Sequence, residues 1–211
     1  MSRTGPKRSE SIRLAVLNAA DDLLVERGFD GVTIEGIAAR AGVAKQTLYR
    51  WWKSKVDILL DTLAGDARDG LAWQLGSASA EEELQRQLRR INAFFHEPAG
   101  HVLRALLGHA QTNPATARAL REGFLREQRE RDRAGLRAVL ARHTACQTAR
   151  QTGRHLDDHV VDGLLDLLLG PLYYRTLVGD RAAEPAILDA TAHLVLDTAA
   201  RITRSDQEPS G

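Results

Sequence analysis

Apolar residues in this chain recur at intervals of three and four and almost nowhere at intervals of two, and that periodicity limits the fold more than any other feature. Alternating β-branched runs do not occur, while Leu, Ala, Arg and Glu dominate. The chain is therefore expected to be all-α, with about nine or ten helices. The first is expected over Ser11 to Arg27, where Ile12, Ala15, Val16, Ala19, Ala20, Leu23 and Leu24 form one stripe and Gly28 closes it. Thr33 caps a second helix, Ile34 to Ala41, which Gly42 breaks before a third short one over Ala44 to Trp51. Ser54 with Asp57 reads as a capping box for a fourth, Lys55 to about Trp73, and Ser79 with Glu82 as another. Further helices are expected over Ala80–Phe95, Ala99–Gln111, Pro114–His143, Asp157–Val178 and Pro185–Ile202, two of them opening on proline. Residues 1–8 and 205–211, with part of Thr144–Arg154, are expected to be disordered.

Composition narrows the function classes. The 211 residues hold one cysteine, Cys146, which excludes an internal disulfide framework and any multi-cysteine metal site. No apolar run approaches the roughly 20 residues needed to span a bilayer, and Met1 to Glu10 lack the apolar stretch of a signal peptide, so a cytoplasmic location is expected. His155 and His159, four apart, have the spacing that can share a helix face, but no H-E-x-x-H pattern or cysteine partner joins them, and no metal or cofactor is expected. No nucleophile elbow, phosphate-binding loop or dinucleotide fingerprint occurs, so an enzyme reading has no anchor.

The net charge of +1 conceals an asymmetry. Residues 1–60 carry 10 Lys plus Arg against 7 Asp plus Glu, and the remainder 19 against 21. Between Gly36 and Val56 stand five bases (Arg40, Lys45, Arg50, Lys53, Lys55) and no acid. A local basic patch governs phosphate binding more than the total does. The same window falls in a short helix pair about a glycine, residues 33–52. Ala38 permits a close crossing, Gly42 suits a turn with positive φ, and Ile37, Val43 and Leu48 serve as apolar pins. With those inward, Lys45, Gln46, Thr47, Tyr49 and Arg50 are left outside, and such residues read base edges or grip phosphates. Helix pairs about a glycine are common in all-α proteins; the acid-free basic window is what singles this one out.

From about Ser9 to Leu63 the sequence resembles the DNA-binding domain of the tetracycline-repressor (TetR) family. The matching features are Arg27-Gly28-Phe29, Gly31-Val-Thr33-Ile, Ile37-Ala38-x-x-Ala41-Gly42-Val43, Lys45-x-Thr47-Leu48-Tyr49, an aromatic pair, and Lys53-Ser54-Lys55-x-x-Ile58-Leu59. Two departures are visible: Ala44 stands where the family often has a serine cap, weakening the third helix by about 1 kcal/mol, and Trp51-Trp52 replaces the usual His-Phe or Tyr-Phe. The resemblance implies a DNA-binding domain over residues 9–63 and a helical ligand-binding and dimerisation domain over 64–204. It implies that Thr33, Thr47, Tyr49 and Lys55 contact phosphates and that Lys45 and Gln46 reach base edges, with Phe29, Leu48 and Trp52 in the core. Arg3, Lys7 and Arg8 either touch the adjacent backbone or belong to a solvated tail.

The resemblance further implies a homodimer, through the last two long helices, facing a palindromic operator in double-stranded DNA, and release by a small, largely apolar effector. Candidate pocket residues are Trp73, Phe94, Phe95, Leu106, His109, Phe124, Gln128, Tyr173 and Tyr174, each equally at home in a packed core. The alternatives are a ligand-independent regulator of the same fold and, more remotely, a helical enzyme or metal protein.

Overall fold

A computed structural model describes residues 6–76, 79–147, 156–179 and 181–205. Among them there is no strand; the helices are α1 (Pro6–Gly31), α2 (Ile34–Arg40), α3 (Lys45–Tyr49), α4 (Lys55–Gly70), α5 (Ala80–Phe94), α6 (Pro98–Ala110), α7 (Pro114–Leu120), α8 (Arg126–Gln147), α9 (Asp158–Gly179) and α10 (Pro185–Ser205), with a π turn at Arg121–Leu125. They form two compact units. One takes the chain up to Asp69 and Phe94–Glu127; the other takes Gly70–Ala93 and everything from Gln128 onward.

In the first unit α1 begins at Pro6, so residues 6–8, expected in a tail, are helical backbone; residues 1–5 and 206–211 lie outside the described residues. Gly28 breaks the helix as expected, with φ 67°, but the chain winds on to Gly31, and Val32 N donates to Phe29 O at 3.3 Å. The first helix, expected to close at Gly28, thus gains a further turn. The helix pair starts as its sequence dictates: Thr33 Oγ1 accepts from Gly36 N at 3.0 Å, whereas Ala44 offers α3 no side-chain cap. The Ser54–Asp57 capping box is reciprocal. Asp57 Oδ2 accepts from Ser54 N at 2.9 Å and Asp57 N donates to Ser54 Oγ at 3.3 Å. Leu23, Ile37, Leu48, Ile58, Leu59 and Leu63 close the core, and α6 packs along α1.

The single helix expected over Pro114–His143 is interrupted by the π turn. Its cause is legible in the burial pattern. Thr116, Leu120, Phe124 and Gln128 are all buried at a strict spacing of four. An α-helix of 3.6 residues per turn drifts off such a spacing, and one wider turn restores the phase.

In the second unit α9 buries Val161, Leu164, Leu165, Leu168 and Leu172 but leaves Leu167, Tyr174, Leu177 and Val178 exposed. Arg129 and Arg133 of α8 hold Asp162 of α9 at 3.0 and 2.6 Å. These bonds hold the Asp162 carboxyl down to about 2, Arg133 foremost. The buried Glu83 of α5 pairs with Arg142 and accepts from Gly76 N at 2.6 Å. Asn92 exchanges two hydrogen bonds with the backbone of Ala183, which fixes the approach to α10.

One carboxylate in the first unit is under electrostatic stress. Asp21 of α1 has Oδ1 buried with no hydrogen-bond partner, and burial first, then the charges of Asp66 and Asp22, push its carboxyl up to about 7. Because the folded value lies above the unfolded one, the stability linked to this group is full below about pH 4 and lost as pH rises through 7. Asp21→Asn is therefore expected to be more stable than the parent at pH 8 and close to it at pH 4, read by urea denaturation at both.

Candidate nucleic-acid interface

The turn between α2 and α3 is closed by backbone alone: Gly42, at φ 66°, donates to Ala39 O at 3.3 Å and Val43 N donates to Ala38 O at 3.0 Å. Ile37, Ala38 and Leu48 are buried, so the pair is pinned on both sides of the turn. Val43, expected as a third pin, is only half-buried; the two-residue turn leaves it at the rim.

With Leu48 inward, the helical period turns Lys45, Gln46 and Tyr49 to solvent, Tyr49 with 49% of its surface exposed, and Thr47 is half-buried. Thr33 is exposed at the start of α2. Lys45 is not alone there. Glu35 of α2, just outside the acid-free window, pairs with its ammonium, holding the Glu35 carboxyl below and the Lys45 ammonium above their usual values. The same ammonium stands 5.6 Å from the Tyr49 ring. Arg40 is turned back onto α1, where Glu26 receives it at 2.7 Å. Lys53 and Arg50 are exposed, the latter 5.4 Å from the Trp51 ring. Glu35 and the exposed pair Arg50 and Lys53 are absent from the set that resemblance implied; the first lies one residue outside the window that drew attention.

Lys55 is placed differently from Lys45. Its ammonium donates to Phe29 O at 2.6 Å and lies 4.2 Å from the Phe29 ring, and desolvation lowers its pKa. The Phe29 ring in turn stacks on His109 at 4.3 Å. Trp52 is core, as expected, and its Nε1 donates to Asp61 Oδ2 at 3.1 Å. Asp61 also receives Arg13 through two hydrogen bonds, at 3.1 and 2.5 Å. One carboxylate of α4 thus ties α1 to the end of α3.

The nine residues proposed for a pocket divide between the units. Phe94, Phe95, Leu106 and Phe124 are buried in the first, with His109 Nδ1 3.0 Å from Thr116 Oγ1. Trp73, Gln128 and Tyr173 belong to the second. Trp73 and Gln128 meet at Asp132, a residue the sequence hid inside a charged run that reads as a solvated face. Tyr174 is 68% exposed on α9, so within its unit it points away from the interior. His159 is exposed and His155 lies outside the described residues; no group of three or more metal-ligating side chains occurs among the described residues. No helix among them is long and apolar enough to cross a membrane.

A short, exposed, cation-bearing helix pinned across a glycine turn to a preceding helix defines a helix-turn-helix DNA-binding protein. Residues 16–62 match the family model of bacterial regulatory proteins of the TetR family, and residues 76–195 match that of the tetracycline-repressor-like C-terminal domain. An uncharacterized helix-turn-helix transcriptional regulator of Bacillus subtilis, YdeS, is 30% identical over 189 residues, covering 89% of this chain and 90% of its own. The crystal structure of the TetR family regulator SCO0332 superposes with a TM-score of 0.67 at 32% identity, over 88% of this chain and 97% of that one. A TetR transcriptional regulator from Agrobacterium tumefaciens shares the fold, with a TM-score of 0.63 at 21% identity and 94% of each chain covered. The chain belongs to the TetR family of transcriptional regulators.

Asp61 anchors both Arg13 and the Trp52 indole, so Asp61→Ala is expected to destabilise the protein by about 1–3 kcal/mol, the cost of leaving part-buried donors unpaired. Thermal denaturation at pH 7 measures it.

Proposed function

We propose that this chain is a repressor that binds a palindromic operator as a homodimer and lets go when a small, largely apolar molecule enters its C-terminal part. In this reading residues 9–63 read DNA and residues 64–204 sense and pair. The observation that carries it is the exposed row Lys45, Gln46 and Tyr49 beside Thr33, on a helix fixed by the buried Leu48. Gln46 suits adenine and Lys45 guanine, while Thr33, Thr47, Tyr49 and Lys55 take phosphates. Arg50 and Lys53 join them as exposed cations. Lys45 and Lys55 must each give up an intramolecular partner to do this; at an exposed pair such as Lys45 with Glu35 that costs little.

Pairing of two subunits is supported by apolar side chains left uncovered on α9 (Leu167, Tyr174, Leu177, Val178) and α10 (Ile187, Leu194). They recur at intervals of three, four and seven, the spacing of a helix-packing seam. A two-fold dimer through that seam sets two recognition helices about 34–36 Å apart, one turn of DNA. A second reading, regulation without a ligand, draws support from Phe94, Phe95, Leu106 and Phe124, all of them buried as core residues are. Selection of bound genomic fragments decides the DNA side, with a palindromic consensus expected; a monomer in equilibrium sedimentation at micromolar concentration would remove the dimer.

Tyr49→Ala and Lys55→Ala are expected to weaken binding to all sequences alike, and only Lys55→Ala, which removes a charge, to flatten the salt dependence as well, by about one unit. Gln46→Ala is expected to alter base preference in a binding-site selection, and an unchanged consensus would overturn its assignment.

A further inference from the structure

Glu35 is the only acid between Gly31 and Val56, a stretch that otherwise carries five bases. It lies in the first turn of α2, which the Thr33 cap fixes by accepting from Gly36 N at 3.0 Å, with Ile37 and Ala38 buried on the inner side. Its carboxylate pairs with the ammonium of Lys45, the first residue of α3. Both side chains stand well out in solvent, 63% exposed for Glu35 and 45% for Lys45. Arg40, the other charged residue of α2, is drawn to Glu26 of α1 instead. The one acid of the stretch thus meets the leading cation of α3 across the Gly42 turn.

An exposed ion pair adds little to stability. A carboxylate set among cations also repels phosphate, so by charge alone Glu35 weakens every DNA complex. An acid in a first helical turn gains from the helix dipole, but that gain needs no lysine on the next helix. What a touching ammonium and carboxylate do provide is a donor and an acceptor side by side. The major-groove edge of a G·C pair is their complement: guanine N7 and O6 accept, and the cytosine N4 amino group donates next to O6. A T·A pair also sets an acceptor beside a donor, but on the lysine's side it offers a methyl group in place of the second acceptor.

We propose that Glu35 is a specificity-determining residue, accepting from cytosine N4 in the same base pair whose guanine Lys45 reads. The proposal rests on the reading of α3 as the recognition helix. On DNA the two side chains exchange each other for base atoms: Lys45 donates to guanine N7 and O6, and Glu35 accepts from the amino group beside them. Because the two come to one pair from separate helices, the turn between those helices takes part in the reading. That turn is set by Gly42 at φ 66° and by Val43 N donating to Ala38 O at 3.0 Å. Phosphate repulsion and the cytosine contact act in opposite directions on affinity. Removing Glu35 therefore tightens binding to unrelated DNA while it loosens discrimination.

The test uses the full chain and its Glu35→Ala, Glu35→Gln and Lys45→Ala variants in a selection from random duplex DNA, followed by titration of the selected site. The parent is expected to select a G·C pair that Lys45→Ala no longer prefers. Glu35→Ala is expected to lose about tenfold in preference for that pair over T·A, with equal or higher affinity for unrelated DNA. Glu35→Gln, which keeps an amide oxygen as acceptor, retains part of the preference. N4-methylcytosine in that pair keeps its pairing with guanine but loses the amino hydrogen that faces the major groove. It is expected to cost the parent about tenfold and Glu35→Ala almost nothing. An equal gain by Glu35→Ala on all sequences with the consensus unchanged, or the same methyl penalty in both proteins, would overturn the proposal. A consensus that Lys45→Ala alters and Glu35→Ala does not has the same force and leaves the recognition helix standing. A consensus unchanged in Lys45→Ala removes that reading, and the proposal with it.

Discussion

The position of the short helix α3 depends on a carboxylate carried by another helix. Helix α3 is five residues long and lacks a side-chain cap, so local interactions do little to hold it. Its direction is imposed from its C-terminal end, where the Trp52 indole is buried and hydrogen-bonded to Asp61, and from its middle, where Leu48 is buried. Asp61 receives Arg13 on its other side, so α1, α4 and the end of α3 share one charged centre. A tryptophan in place of the family's usual phenylalanine therefore brings a polar handle as well as packing area. Its N–H converts a hydrophobic contact into a directional one, and the reading head inherits that direction.

The basic window is less free than its composition implies. Arg40 is engaged by Glu26, Lys45 by Glu35, and Lys55 by the Phe29 carbonyl and ring. Only some of the five positive charges stand ready for phosphate in the unbound chain. In the proposed interface, binding exchanges such partners for phosphates and base edges rather than simply neutralising free charges. Such an exchange responds to salt through both the DNA and the protein's own pairs.

Much of this was legible in the residues. Periodicity located the helices to within about five positions, with α7 and α8 read as one, and caps such as Thr33 and the Ser54–Asp57 box act through the hydrogen bonds their spacing requires. Gly42 sits where a left-handed turn residue was needed. What escaped was whatever depends on partners distant in sequence. Asp132 lies in a run of charged residues indistinguishable from a solvated face, and only its meeting with Trp73, 59 residues away, marks it as buried. The tie from Lys55 to Phe29 O spans 26 residues and leaves no local signature. Boundaries drifted where backbone rather than side chains decides them, at the turn after Gly28 and at the π turn.

The π turn at Arg121–Leu125 also determines which changes of length this region tolerates. It works as a stored extra residue in an otherwise regular coil. Deleting one residue there would let the chain relax into an uninterrupted α-helix while the following side chains keep their facing, because the wide turn takes up one extra residue without turning the helix beyond it. Gln128 and Asp132 would stay in the interior. The loss of one residue is therefore absorbed at this turn, whereas the same loss in a regular turn of α8 would rotate every following side chain by about 100° about the axis.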